Sequence, residues 1–134
     1  MFNSLDISSS ALTAQRVRMD TIAGNIANMN TTHDASGKVN PYRRKFAVFG
    51  QGNGENPGGA GVHVERIGED AAAFRKVYEP GHVDADAEGN VLYPNMDLSI
   101  EMVNAMEASR AYEANVTTME VTKSMMNATL RLIA

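Results

Sequence analysis

The chain has 134 residues, of which 43 % are apolar and 21 % are charged, and its formal net charge is −4. This length suits one domain with a usable core, and the mildly acidic balance does not indicate a nucleic-acid-binding protein. The absence of cysteine excludes disulfides and thiolate metal sites.

The first six residues have no basic start and no continuous apolar core, so we expect no cleavable secretion signal. No apolar run approaches the roughly 20 residues that cross a bilayer. Composition alone would place the protein in the cytosol, and a signal-free export route would leave the same pattern.

An amino-terminal helix is predicted from residue 4 to about residue 30. Asn3 or Ser4 suits its N-cap, and Asn28 or Asn30 suits its end. Gly24 costs up to about 1 kcal/mol relative to alanine within a helix, and we interpret it as a place where another backbone comes close. The predicted helical face keeps alternating spacings of four and three through Leu5, Ser8, Leu12, Gln15, Met19, Ile22, Ile26 and Met29.

The middle of the chain predicts a small, irregular β unit. Alternating residues after Pro41 indicate a strand over 42–49, and further strands are predicted over 62–67 and 74–79. Residues 91–93 are predicted to be a short extended piece before Pro94. Residues 50–61 hold six glycines and Pro57, which is typical of a flexible loop.

The last stretch, residues 95–134, predicts one long helix, because it lacks proline and glycine and is rich in helix-forming residues. It carries a heptad row whose members are Leu98, Met102, Ala105, Ser109, Tyr112, Val116, Met119, Lys123, Met126, Leu130 and Ile133. A second apolar row lies beside it and consists of Val103, Met106, Val121, Met125, Ala128 and Leu132. A helix that is apolar on more than one side needs more than one neighbour.

We therefore predict a mainly α fold with a small β-rich insert, in which two long terminal helices form a coiled-coil hairpin around a short middle segment. The expected divisions are an amino-terminal helix over 1–32, a middle segment over 33–94 and a carboxy-terminal helix over 95–134.

The sequence contains no recognisable catalytic motif. Residues 84–89 resemble the start of a calcium loop, but Asn95 stands where a bidentate glutamate is needed, so a solvated turn is favoured. His33, His63 and His82 lack partners at helical ligand spacing. The basic cluster Arg43-Arg44-Lys45 favours a charged strand face over contact with an acidic partner. We predict no catalytic residue, cofactor or metal.

Two sets of residues carry a family resemblance. Residues 10–31, SALTAQRVRMDTIAGNIANMNT, resemble the amino-terminal signature of bacterial flagellar axial proteins, which include rod and hook proteins. Gly24 and Met29 depart from that signature, which has a larger residue and an alanine there. Residues 77–82, 88–91, 93–95, 101–104 and 109–112, together with Asn115 and the short length, resemble the proximal-rod members; Val83 replaces their more usual proline.

This resemblance implies a structural subunit of the flagellar basal-body rod, which spans the periplasm and transmits torque to the hook and filament. It implies export through the flagellar type III apparatus without a cleaved signal. The implied partners are other copies of the chain and rod proteins of the FlgB, FlgF, FlgG and FliE types, with no nucleic acid and no stable membrane insertion.

Two alternatives remain open at this point: a soluble helical adaptor or secretion-associated protein that uses the same helix faces, and an enzyme with a site in the middle segment. The side chains expected to carry helix packing and assembly are Leu12, Met19, Ile22, Ile26, Leu98, Met102, Met106, Tyr112, Val116, Met119, Met126, Leu130 and Ile133.

Overall fold

The computed structural model describes residues 2–52 and 57–133, and two long helices enclose four strands in its chain order. Helix α1 covers Phe2–Ala27 and helix α2 covers Leu98–Ile133. The mainly helical fold with a small strand-containing middle is therefore confirmed.

Local hydrogen bonds fix the end of α1 and the start of α2. After α1, the Asn28 side-chain amide donates to the Gly24 carbonyl at 2.9 Å, and the Thr31 amide donates to the Asn28 carbonyl at 3.1 Å. The chain thus turns at the predicted stop residue, slightly before residue 30. Helix α2 begins three residues later than predicted, because the Asp97 carboxylate accepts the Ser99 amide at 2.7 Å and caps the first turn.

The two helices contact each other and run antiparallel. Arg18 lies opposite Glu107, and Asn25, further along α1, lies opposite Glu101, which is earlier in α2. Only three apolar residues of the described parts of these helices are buried: Ala14 and Ile22 on α1 and Ala108 on α2.

The four strands form two antiparallel pairs. Strand β1 (Lys45–Gly52) pairs with β2 (Pro57–Glu69), and β3 (Arg75–Tyr78) pairs with β4 (Asn90–Tyr93). All three predicted strands are present with shifted bounds, and the predicted extended piece over 91–93 lies in β4. The first begins at Lys45 instead of residue 42, because the Tyr42 amide donates to the Thr31 carbonyl outside the sheet.

The β1–β2 pair lies along α1, where the Val62 amide donates to Ser10 Oγ at 3.1 Å. Its strands extend into the region predicted as a loop over 50–61, so only residues 53–56 of that prediction lie outside the described residues. The glycines permit this extension. A side chain at Gly50 would meet the His63 ring at 2.8 Å, and Gly61 has a positive φ of 105°.

The interpretation of Gly24 as a site of close backbone approach is wrong. A Cβ at that position would have the Tyr42 hydroxyl as its nearest neighbour, at an ordinary contact distance of 3.9 Å.

Replacing Gly61 by alanine tests the strand geometry. Gly61→Ala should lower the free energy of unfolding by about 1–2 kcal/mol. Alanine disfavours the positive φ of this residue, and its Cβ would lie 2.8 Å from Ser10 Oγ. Urea unfolding followed by circular dichroism measures the change. The matched control is Gly81→Ala, which has open space and should leave stability unchanged or raise it by up to about 1 kcal/mol. Equal effects of the two variants would contradict the described backbone at Gly61.

Candidate functional site

A buried group of polar side chains joins α1, α2 and the start of β1. Asn25 is fully buried, and its side-chain amide donates to the Lys45 carbonyl at 2.8 Å and to Glu101 Oε2 at 3.1 Å. Its Oδ1 accepts the Lys45 amide at 2.9 Å and the Tyr42 hydroxyl at 3.3 Å. All four hydrogen-bonding positions of the asparagine are therefore used. We call Asn25, Arg44 and Glu101 the polar junction.

The second half of the junction is an ion pair. Arg44 Nε lies 2.6 Å from Glu101 Oε1, and Glu101 is only 2 % exposed. A buried carboxylate needs such a partner, because desolvation of an isolated charge is costly. Burial is the main cause that raises the pKa of Tyr42, and the nearby Glu69 and Glu101 carboxylates add to it. The hydroxyl therefore remains protonated and can donate to Asn25.

The polar junction determines how the helices align. It places one turn of α1 opposite the first turns of α2 and attaches both to the backbone of β1. A polar group that is satisfied in only one register disfavours sliding of one helix along the other. The ion pair that joins the two helices directly, Arg18–Glu107 at 3.0 Å, is much more exposed than the Arg44–Glu101 pair.

The basic cluster is used inside the chain, which corrects its interpretation as a charged strand face. Arg43 donates to the Asp70 and Ala72 carbonyls and lies 4.4 Å from the centre of the Phe74 ring. Arg44 belongs to the polar junction, and Lys45 lies over the Tyr42 ring.

A second polar contact attaches the loop after α1 to the turn before β4. Asp84 accepts a hydrogen bond from the Thr32 hydroxyl at 2.6 Å, and His33 Nδ1 lies 3.0 Å from the same carboxylate oxygen. The Thr32 hydrogen bond, followed by the contacts with His33 and His82, lowers the pKa of Asp84. The carboxylate is thus engaged within the chain.

Residues 84–89, which we call the acidic turn, have the geometry of a solvated turn, as the sequence favours. Asp86 Oδ1 accepts the backbone amides of Glu88 and Asn90 at 3.0 and 2.7 Å, and Lys76 lies 3.4 Å from the other oxygen. Among the described residues, no three His, Asp or Glu side chains come together in a way that would hold a metal ion.

The side chains predicted for packing and assembly fall into two groups. Ile22 is buried, and Leu12, Met19, Ile26, Tyr112, Val116, Met119 and Met126 are half-buried. Leu98, Met102, Met106 and Leu130 are exposed. The side chain of Ile133 lies outside the described residues. The predicted heptad row begins with Leu98 and Met102, but the buried residues near the start of α2 are Glu101 and Ala108. The face of α2 that meets α1 is therefore rotated about the helix axis from the predicted row.

An apolar row is left on the outer side of α2, away from the buried Ala108. Val103, Met106, Val121 and Met125 are each more than half exposed, and Ala114 and Ala128 lie on the same helical side. This outer row contains most of the second apolar row of the sequence and is interrupted mainly by Arg110 and Thr117. It offers a long surface on which another helix can pack.

The total surface supports the same point. The chain exposes 8944 Å², whereas a monomeric protein of 14.5 kDa exposes roughly 6,900 Å². The excess is on the order of 2,000 Å², compared with the ~800 Å² that each partner contributes to a standard interface. In the described residues, neither α1 nor α2 combines the length and hydropathy that a bilayer-spanning helix requires.

The polar junction is the feature that sequence reasoning missed. Asn25 lies between Ile22 and Ile26 on the predicted apolar side of α1, and Glu101 lies in the first turns of α2. The available signal for the junction was a polar residue among the apolar residues of each helix, together with a basic cluster that had no assigned partner.

Comparison with known proteins places these features in a family. The family model described as "Flagella basal body rod protein" matches residues 5–32, and the model described as "Flagellar basal body rod FlgEFG protein C-terminal" matches residues 87–132. The two matched regions correspond to most of α1 and to β4 with α2.

Full-length relatives give the same result. The chain is 44 % identical to the flagellar basal-body rod protein FlgC of Bacillus subtilis, over 98 % of this chain and 97 % of the relative. It is 42 % identical to the protein of that name in Salmonella typhimurium, with the same coverage. The corresponding identity with the FlgC of Borreliella burgdorferi is 37 %, over 99 % of this chain and 97 % of the relative.

The contribution of the polar junction can be measured with one substitution. Arg44→Met should lower the free energy of unfolding by roughly 3 kcal/mol, because it leaves the buried Glu101 carboxylate without its cation. The matched control is Arg18→Met, which removes the exposed pair with Glu107 and should cost less than about 1 kcal/mol. Urea unfolding of both variants gives the comparison, and a cost for Arg44→Met as small as that of the control would show that the junction does not hold the helices.

Proposed function

The chain belongs to the FlgC family of flagellar basal-body rod proteins and is a structural subunit of that rod, and from this identity we propose that it builds the proximal rod and transmits torque toward the hook and filament. The observation that carries the proposal is the excess surface of the isolated chain, together with the exposed apolar outer row of α2. A rod subunit requires such surface for its neighbours.

Torque passes through the subunit along its packed helices. Helices α1 and α2 are 26 and 36 residues long and are joined by the polar junction. Close-packed interiors resist deformation, so a load applied at one end of the pair is carried to the other end. In the assembled rod the pair has coiled-coil geometry, with Met19, Tyr112, Val116, Met119 and Met126 between the two helices.

The exposed members of the predicted packing set serve contacts between subunits. Leu98, Met102, Met106 and Leu130 lie open to solvent in the single chain. Burial at about 25 cal/mol per Å² makes each such contact favourable, and repetition around a helical array multiplies it. The half-buried and the exposed members of the predicted set therefore have separate roles.

The proposed partners are other copies of the chain and rod proteins of the FlgB, FlgF, FlgG and FliE types. The subunit reaches the rod, which spans the periplasm, through the flagellar type III export apparatus and without a cleaved signal peptide. It binds no nucleic acid, has no stable membrane insertion and acts as a structural part rather than as an enzyme, in keeping with the rod-protein names of its relatives.

A charged residue on the outer row tests this proposal in living cells. Met106 is 55 % exposed, so Met106→Asp should leave the fold and export intact. It should abolish rod growth and motility, because a charge cannot be buried between subunits without a partner. Swimming in soft agar, together with immunoblots of exported and basal-body fractions, measures the effect.

The matched control is Val83→Asp, which makes a comparable change at a turn residue that is 98 % exposed and should leave motility unchanged. Normal motility of Met106→Asp would contradict assembly through the outer row and would favour the soluble-adaptor alternative.

A further inference from the structure

One edge of strand β1 is open. The Asp70 amide donates to the Arg44 carbonyl at 2.8 Å, so Arg44 directs this group toward β2. Because these directions alternate along an antiparallel strand, Lys45, Ala47 and Phe49 direct their N–H and C=O groups away from β2. The bulge of this pair has its extra residue in β2, so the alternation along β1 is unbroken. Among the described residues, no group bonds to the backbone of Ala47 or Phe49 on the side away from β2.

The first position of this edge shows how it accepts a peptide group. The Asn25 side-chain amide donates to the Lys45 carbonyl at 2.8 Å, and its Oδ1 accepts the Lys45 amide at 2.9 Å. An amide that bonds to both backbone groups of one residue imitates the peptide group of a neighbouring strand. Asn25 ends this pairing after one residue. An added strand would therefore continue a pairing that the chain itself begins, and an uncovered strand edge is a template for such pairing.

A groove of about 320 Å³ lies along the open edge. Its lining includes residues of β1, α1 and α2, namely Ala47, Phe49, Thr21, Ile22 and Asn104. The groove has room for about ten water molecules at roughly 30 Å³ each, whereas a helix is about 10 Å across. It therefore suits a short extended segment. Phe49 is 37 % exposed and offers such a segment an apolar contact.

The groove is basic, although the chain as a whole is acidic. Arg18, Arg44 and Lys45 line it, and no carboxylate of the described residues does. Glu107 and Glu101 pair with Arg18 and Arg44 from outside the lining. Glu101 takes only the Nε of Arg44, and in the described parts of the chain the two terminal nitrogen atoms of this guanidinium donate to no other group. These atoms can donate to a carboxylate of a partner, so the charge of the groove favours an acidic segment.

We propose that an extended, acidic segment of a different protein adds to the open edge of β1 as a third strand. This inference rests on the proposed function, because the assembled rod supplies the neighbour. Backbone groups of the segment bond to Ala47 and Phe49, and one of its carboxylates meets Arg44 and Arg18. Main-chain hydrogen bonds give such a contact its affinity, and side chains give it specificity. A second copy fits this description less well, since the aspartates of its acidic turn are engaged within that chain.

Nuclear magnetic resonance of the full-length, isotope-labelled chain tests the docking with a defined probe. The probe is the acetylated and amidated peptide Thr-Val-Glu-Val-Thr, and the control probes are Thr-Val-Lys-Val-Thr and inorganic tripolyphosphate. The acidic peptide should shift the amide resonances of Ala47 and Phe49 in a saturable way and slow their hydrogen exchange at least about threefold. The lysine peptide should bind at least about fivefold more weakly. Tripolyphosphate lacks a backbone and should leave the exchange of both amides unchanged.

Three variants locate the contact. Ala47→Pro removes one N–H from the open edge without removing a bond to β2 and should lower the affinity for the acidic peptide at least about fivefold. The matched control is Ile67→Pro, since Ile67 is the partner of Ala47 across the strand pair and directs its N–H to the opposite edge. This control should leave the affinity unchanged. Arg18→Met keeps both strands unaltered and should weaken the acidic peptide about threefold, with no effect on the lysine peptide.

Four results would overturn the proposal. The first is the absence of a saturable shift at Ala47 and Phe49, and the second is equal binding of the two peptides. The third is slower exchange of both amides with tripolyphosphate, which would show an anion site without strand addition. The fourth is the same set of shifts when the chain alone is concentrated, which would identify a second copy as the occupant. If any of these occurs while Met106→Asp still abolishes motility, the docking fails and the proposed function stands.

Discussion

The hydrogen bonds of the buried Asn25 are the constraint on which the rest of the structure depends. This side chain bonds to Glu101 of α2 and to both backbone groups of Lys45, so α1, α2 and β1 meet at one fully satisfied group. Arg44 then balances the Glu101 charge. An apolar contact between two helices tolerates a shift along their axes, whereas this junction is satisfied only in the observed register. The register of the two helices and the position of the start of β1 follow from it.

That register explains why the chain leaves so much apolar surface uncovered. With α1 fixed against α2 in this register, one side of α2 is half-buried and its outer row is open. The β1–β2 pair lies along α1 rather than over α2. The middle segment therefore leaves the outer row uncovered, whereas a protein that functions as a monomer would cover such a row. The surface left over is the surface that a subunit of an axial structure requires.

The sequence predicts the elements well, because periodicity and turn residues are local signals. Heptad spacing predicts both helices, alternation predicts the first strand, and Asn28 marks the end of α1. Tertiary contacts decide what remains. The glycine-rich stretch forms strand where His63 and Ser10 use the space that side chains would occupy. Glu101 is buried because Arg44, distant in sequence, comes close in the fold, and no pattern within α2 indicates that partner. The side of α2 that faces α1 is set by the same contact, so Leu98 and Met102 are exposed.

The central claim is that the outer row of α2 is open in the single chain and covered in the rod. Oxidative footprinting of methionine measures this directly, because side-chain oxidation follows solvent access. Met106 and Met125 lie on the outer row and are more than half exposed, whereas Met19 and Met119 are half-buried between the helices. Met106 and Met125 should oxidise readily in the purified chain and become protected in intact basal bodies, while Met19 changes little. Equal oxidation of Met106 and Met125 in the two states would contradict the account.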